Sequence, residues 1–114
     1  MKTKISKLAS LSTLAVCTAI CLPAGAAEGL KAGQTAFDAN SCSSCHDSSA
    51  TTIGPSLKDI AKRYKGKPVA AEIAQRIRAG SEGRWDGPAH PAYEGLDEND
   101  ALLMAKWILG GAPR

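Results

Sequence analysis

The sequence predicts a small all-α domain of four helices, and three observations predict it. Apolar residues recur at three- and four-residue intervals in four separate stretches. No stretch alternates apolar and polar residues as a strand does. Behind a leader-like N-terminus, residues 27–114 leave enough chain for one small domain, with no internal repeat and no second domain. A chain of that length buries a small core and is often marginal without a covalent or cofactor staple.

The leader covers residues 1–26. Lys2, Lys4 and Lys7 make a positive start, and Leu8 to Leu22 is apolar but diluted by Ser and Thr. Ala24-Gly25-Ala26 then reads as a signal cleavage tripeptide, with cleavage after Ala27 close behind. The apolar run falls short of the roughly 20 residues a spanning helix needs, so no stable membrane anchor is expected after cleavage. Cys17 and Cys21 leave with this segment. Leu14-Ala15-Val16-Cys17 makes only a loose lipoprotein signal, because Val16 is large for its position.

The four helices follow in order. The first is expected over about Leu30 to Ala39, where Ala32, Gly33, Ala36 and Phe37 form a face of small residues suited to a close crossing. The second starts at Pro55, since proline is favoured in a first turn. It carries Leu57, Ile60, Ala61 and Tyr64 on one face, and Gly66 ends it. The third runs from about Val69 to Ala79, with Ile73, Ala74 and Ile77 inward and Gly80 after its end. Asp97 is a good N-cap for the fourth, which buries Leu103, Met104, Trp107 and Ile108 and stops at Gly110 and Gly111. Between the third and fourth lies 81–96, with three glycines and two prolines. Such a loop needs a reason to be ordered, and covering a cofactor is one.

The chemistry sits in Cys42-Ser43-Ser44-Cys45-His46. Two thiols two residues apart, followed at once by a histidine, form the attachment pattern for a c-type haem. Thiols at i and i+3 lie on one side of a helical turn, so both reach the vinyl groups of one porphyrin, and the imidazole points at the iron. Three other readings compete with it. Structural zinc needs four ligands, and Cys42, Cys45, His46 and His90 lack the usual second pair. A thioredoxin-like redox pair belongs beside a βαβ pattern. A disulfide at this spacing is geometrically poor. Export fits the haem reading, because such haems are attached outside the bacterial cytoplasm.

Charge excludes some partners. The full chain is formally +3, with fourteen basic residues against eleven acidic ones. Removing Lys2, Lys4 and Lys7 brings the two into balance. There is no polybasic tract, and nothing suggests nucleic-acid binding. Lys58, Lys62, Arg63, Lys65 and Lys67 form a local basic cluster, either a surface that steers an acidic partner or simply the solvated end of a helix.

Residues 29 to 110 resemble the short, single-haem bacterial class I cytochromes c. The matching stretches are Phe37, Cys42 to His46, Ile53-Gly54-Pro55, Leu57-Lys58-Asp59-Ile60-Ala61, Ile73-Ala74-Gln75-Arg76-Ile77 and Ala105-Lys106-Trp107-Ile108-Leu109. The resemblance implies a small cytochrome c-type fold, four helices around one haem c bound through Cys42 and Cys45. It implies that the Pro55 carbonyl accepts a bond from His46 Nδ1, that Arg76 and Trp85 bind a haem propionate, and that Phe37 and Trp107 meet where the first and last helices cross. It further implies a periplasmic electron carrier, not an enzyme, working with periplasmic redox proteins.

The departure is at the sixth ligand. The family usually presents a methionine from the loop before the last helix. Here Met104, the one methionine past the leader, lies within that helix, where a thioether fills a core gap. The loop offers His90, flanked by Pro88, Ala89 and Pro91. His90 is the expected sixth ligand, with Met104 or an exchangeable site as alternatives. Two imidazoles would lower the potential relative to methionine ligation. Two further functions stay open: a haem sensor with a displaceable His90, and the cytochrome subunit of a larger periplasmic oxidoreductase.

Overall fold

The computed structural model describes residues 24–114. The expected leader lies outside the described residues apart from its last three. The elements are α1 (Ala24–Ala39), a 3-10 turn (Cys42–Ser44), α2 (Leu57–Arg63), α3 (Ala70–Ala79) and α4 (Glu98–Leu109). Among the described residues there is no strand, only a single bridge between Ser81 and His90. The expected all-α architecture is what forms.

Helix α4 is the hub, packing against α1, α2 and α3. Ala101, Met104, Ala105, Trp107 and Ile108 are its buried face, set by i, i+3, i+4 and i+7 spacing. Asp97 caps it as expected, its carboxylate accepting from Asn99 N at 2.8 Å and Asp100 N at 3.3 Å. Leu103, expected to be buried, is only partly covered, yet its backbone lies at the closest point of the α1–α4 crossing. A Cβ added to Gly33 would sit 2.3 Å from the Leu103 carbonyl oxygen and 2.7 Å from Trp107 Cβ. Beside that crossing Phe37 and Trp107 meet with ring centroids 5.1 Å apart and planes inclined by 54°. The Trp107 indole donates to the Pro113 carbonyl at 3.0 Å, which ties the C-terminus over the crossing.

Three boundaries differ from expectation. Helix α1 begins at Ala24, ahead of Leu30. Its first turns are exposed, so they carry no apolar stripe for a periodicity argument to find. Ala32, expected on the inner face, is exposed, while Gly33, Ala36 and Phe37 are buried. Pro55 lies ahead of α2, not in its first turn. The cap is Ser56, whose hydroxyl accepts from Asp59 N at 3.0 Å and donates to Asp59 Oδ2 at 2.7 Å. The hydroxyl is thus both the N-cap acceptor of α2 and a donor to the carboxylate of its third residue. Helix α2 ends at Arg63, and Gly66 sits in the turn beyond, at φ +73°.

Ser56 is fully buried, so its loss removes a cap and strands part of Asp59. Ser56→Ala is expected to lower stability by about 1–2 kcal/mol, measured as a reduced urea midpoint of the haem-loaded protein.

Candidate functional site

The 3-10 turn gives the cysteine pair its geometry. Ser41 enters it in the left-handed region at φ 56°. The Cys42 carbonyl then accepts from both Cys45 N at 3.2 Å and His46 N at 3.0 Å. The two cysteines form no disulfide with each other and lie half-buried at the edge of one cleft. Burial pushes the Cys42 thiol up in pKa. No three His, Cys, Asp or Glu side chains converge on a metal position among the described residues. The zinc reading therefore has no cluster to rest on.

His46 lies against the loop that follows. Its Nδ1 bonds to the Pro55 carbonyl at 2.7 Å. A carbonyl only accepts, so Nδ1 carries the proton and Nε2 is left with its lone pair. The loop is folded back on the cysteine turn by Gly54 N and Thr52 Oγ1, both donating to the Cys45 carbonyl, at 2.9 and 2.8 Å. Gly54 is required for that approach, since a Cβ there would stand 2.7 Å from His46 Cε1. Gly54→Ala is expected to displace the ring and lower the melting temperature of the haem-loaded protein, at a cost of roughly 1–3 kcal/mol. A shifted Soret band should accompany the change in melting.

The opposite wall is the 81–96 loop. Ser81 and His90 bond each other through their backbones, at 3.2 and 2.8 Å, so the intervening residues form a closed excursion. Tyr93 N donates to the Ile77 and Arg78 carbonyls at 3.2 and 3.0 Å, anchoring the end of the excursion to α3. Arg78 Nε reaches across to the Leu96 carbonyl at 2.9 Å. His90 Nδ1 bonds to the Pro91 carbonyl at 2.8 Å. The same donor logic leaves its Nε2 free. The two imidazoles thus stand on opposite walls of one cleft, ring centroids 6.1 Å apart and planes inclined by 30°. Burial pushes the His90 pKa down, and the nearby His46 adds to this.

The cleft is open to solvent at its mouth. Phe37, Leu57, Ile60, Ile73, Ile77, Met104 and Ile108 make its apolar lining. Met104 is buried at the cleft wall, as its helical position predicted. At the mouth, Ile53 is 57% exposed. This lining suits a flat apolar macrocycle, with both cysteines at the edge of the cleft.

Arg76 and Trp85 both line the cleft, but neither stands free. Arg76 pairs with Glu72 and donates to the Tyr64 hydroxyl at 3.3 Å. Arg63 lies over the Trp85 ring at 4.3 Å. Sequence reasoning had Tyr64 only as a member of an apolar face and Arg63 only as part of a basic cluster. Nothing in local spacing signals either contact, because the partners lie 12 and 22 residues away.

The sequence pattern of cytochrome c matches residues 30–112. The chain belongs to the cytochrome c family. It is 38% identical over 74 residues to cytochrome c-551 of Pseudomonas aeruginosa, covering 64% of this chain and 70% of the relative. It is 39% identical over 71 residues to cytochrome c-552 of Nitrosomonas europaea, covering 61% of this chain and 69% of the relative. The crystal structure of wild-type Nitrosomonas europaea cytochrome c552 superposes with a TM-score of 0.63 at 36% identity, covering 67% of this chain and 95% of that one. This small bacterial-type cytochrome c therefore carries one haem c, held covalently through Cys42 and Cys45, and is a single-haem electron carrier.

Proposed function

We propose that this cytochrome c is a periplasmic one-electron shuttle whose iron is held by two imidazoles, His46 and His90, at a potential below that of methionine ligation. The carrying observation is the facing pair of rings 6.1 Å apart, each with Nδ1 on a proline carbonyl. A metal held there would be bound through the two unprotonated Nε2 atoms. The two proline carbonyls fix both ring orientations and make both imidazoles better donors.

Bound haem supplies reversible one-electron chemistry at the iron. The chain's own residues supply the rest. His46 and His90 would hold the iron between them. The apolar lining around Phe37 and Met104 excludes water and keeps reorganisation on electron transfer small. Arg76 and Trp85 stand at the cleft wall, where a propionate is to be neutralised and oriented. Export follows from residues 1–26, with the periplasmic form beginning at residue 27. Its partners are periplasmic redox proteins met through small transient contacts.

The test is an absorption spectrum in both oxidation states with carbon monoxide added. The expected result is a six-coordinate, low-spin spectrum that carbon monoxide leaves unchanged. An immediate shift of the reduced spectrum would overturn the shuttle reading in favour of a ligand sensor. Intact-mass spectrometry of the periplasmic protein should give residues 27–114 plus one haem.

A further inference from the structure

The loop that presents His90 is poorly tied to the rest of the molecule. Between the paired residues Ser81 and His90, the backbone from Glu82 to Ala89 receives one hydrogen bond from outside the loop among the described residues. That bond comes from Arg63, at the C-terminal end of α2, whose Nη1 donates to the Arg84 carbonyl. The same guanidinium stacks over Trp85 at 4.3 Å from the ring centroid. Trp85 in turn meets Tyr64 edge-on, with centroids 6.5 Å apart. One side chain therefore grips the excursion twice, through a carbonyl and through a neighbouring indole.

We propose that Arg63 is a positioning residue for the distal ligand: its clamp on Arg84 and Trp85 sets how often the 82–89 excursion opens and so how fast His90 leaves the iron. This rests on the reading of His90 as the sixth ligand. His90 lies at the end of the excursion, with its backbone bonded to Ser81 and its ring turned into the cleft. For an outside ligand to reach the iron, the excursion must swing away from the cleft mouth. Ser81 and His90 hold its base, and Arg63 holds its middle. Arginine suits this role because its planar fork stacks on an indole and donates sideways in the same pose. Lysine could keep an attraction to the ring but not both contacts in that geometry.

The charge itself is not the device. Lys62 is its neighbour on α2, exposed and without a hydrogen bond to the loop among the described residues. Removing its charge changes the local field similarly and leaves the clamp in place.

The experiment uses oxidised, haem-loaded protein mixed with cyanide by stopped flow and follows the shift of the Soret band. At saturating cyanide the observed rate equals the rate at which the endogenous ligand departs. Arg63→Gln is expected to raise that rate roughly tenfold, given the sizes of cation–π and charged hydrogen-bond contributions. Arg63→Lys should fall between Arg63→Gln and wild type, and Lys62→Gln should match wild type. Equal rates in Arg63→Gln and wild type would overturn the clamp, as would equal acceleration in Arg63→Gln and Lys62→Gln. His90→Ala separates the two claims. If its six-coordinate spectrum matches wild type, the ligand reading itself fails and the clamp falls with it. If that spectrum changes and the Arg63 variants do not accelerate, only the clamp fails.

Discussion

Replacing His90 with methionine should raise the reduction potential by on the order of 100 mV or more, within the roughly 0.8 V that axial ligands command across haem proteins. The direction follows from donor strength. Imidazole stabilises the ferric ion, whereas a soft thioether favours the ferrous one. The substitution is well placed to isolate that effect. Ser81 and His90 pair through backbone atoms, so a methionine keeps the bridge that closes the loop. Pro88 and Pro91 flank the position and keep their constraints. What is lost is the Nδ1 bond to Pro91, which no longer has a ring to orient. Potentiometric titration of the variant beside wild type measures the difference. A midpoint equal to or below wild type would mean that His90 is not on the iron.

The second large effect belongs to the fold. Gly33→Val should lower the melting midpoint severely. At that position even one methyl carbon meets the Leu103 carbonyl oxygen at 2.3 Å and Trp107 Cβ at 2.7 Å. Neither obstacle is the far end of a flexible side chain. One is α4 backbone, and the other is the root of a fully buried indole. Helix α1 must therefore move off α4, which opens the Phe37–Trp107 contact and unseats the wall of the cleft. Overpacking of a close core site costs about 1–3 kcal/mol and occasionally more. Valine adds two further carbons to the one already excluded, so the cost here falls in the upper part of that range. Gly33→Ala should fold with a clearly lowered midpoint. Circular dichroism on melting the haem-loaded variants reads both. A wild-type melting curve for Gly33→Val would mean that the crossing is looser than these distances state.

Much of this architecture was legible because it is written in local repetition. Leu57, Ile60 and Tyr64, or Met104, Trp107 and Ile108, advertise a helical face within one or two turns. Asp97 announces a cap through its own chemistry. The cysteine pair and His46 specify their cofactor within five residues. Ser56 could have been read as well, since Ser-x-x-Asp is a capping signature, but Pro55 drew the helix start two residues too early. The first turns of α1 were not legible. Exposed alanines and glycines carry no stripe, and the leader pattern overlaps them.

Long-range pairings were harder still. Periodicity says which face of α2 turns inward. It does not say that Arg63 folds over Trp85 or that Tyr64 receives Arg76, because those meetings depend on where a glycine-rich loop lies in space. The proline carbonyl on His90 is a case between the two. Its partner is the next residue, yet the bond exists only because the loop turns the ring inward.

The account turns on one iron between two imidazoles, and the chain contains just two histidines. Incorporating 15N-histidine and recording pulsed EPR on the oxidised protein therefore counts the axial imidazoles without any substitution. Hyperfine coupling from two labelled ring nitrogens, one on each side of the haem, is the result predicted. Coupling from a single imidazole would contradict it.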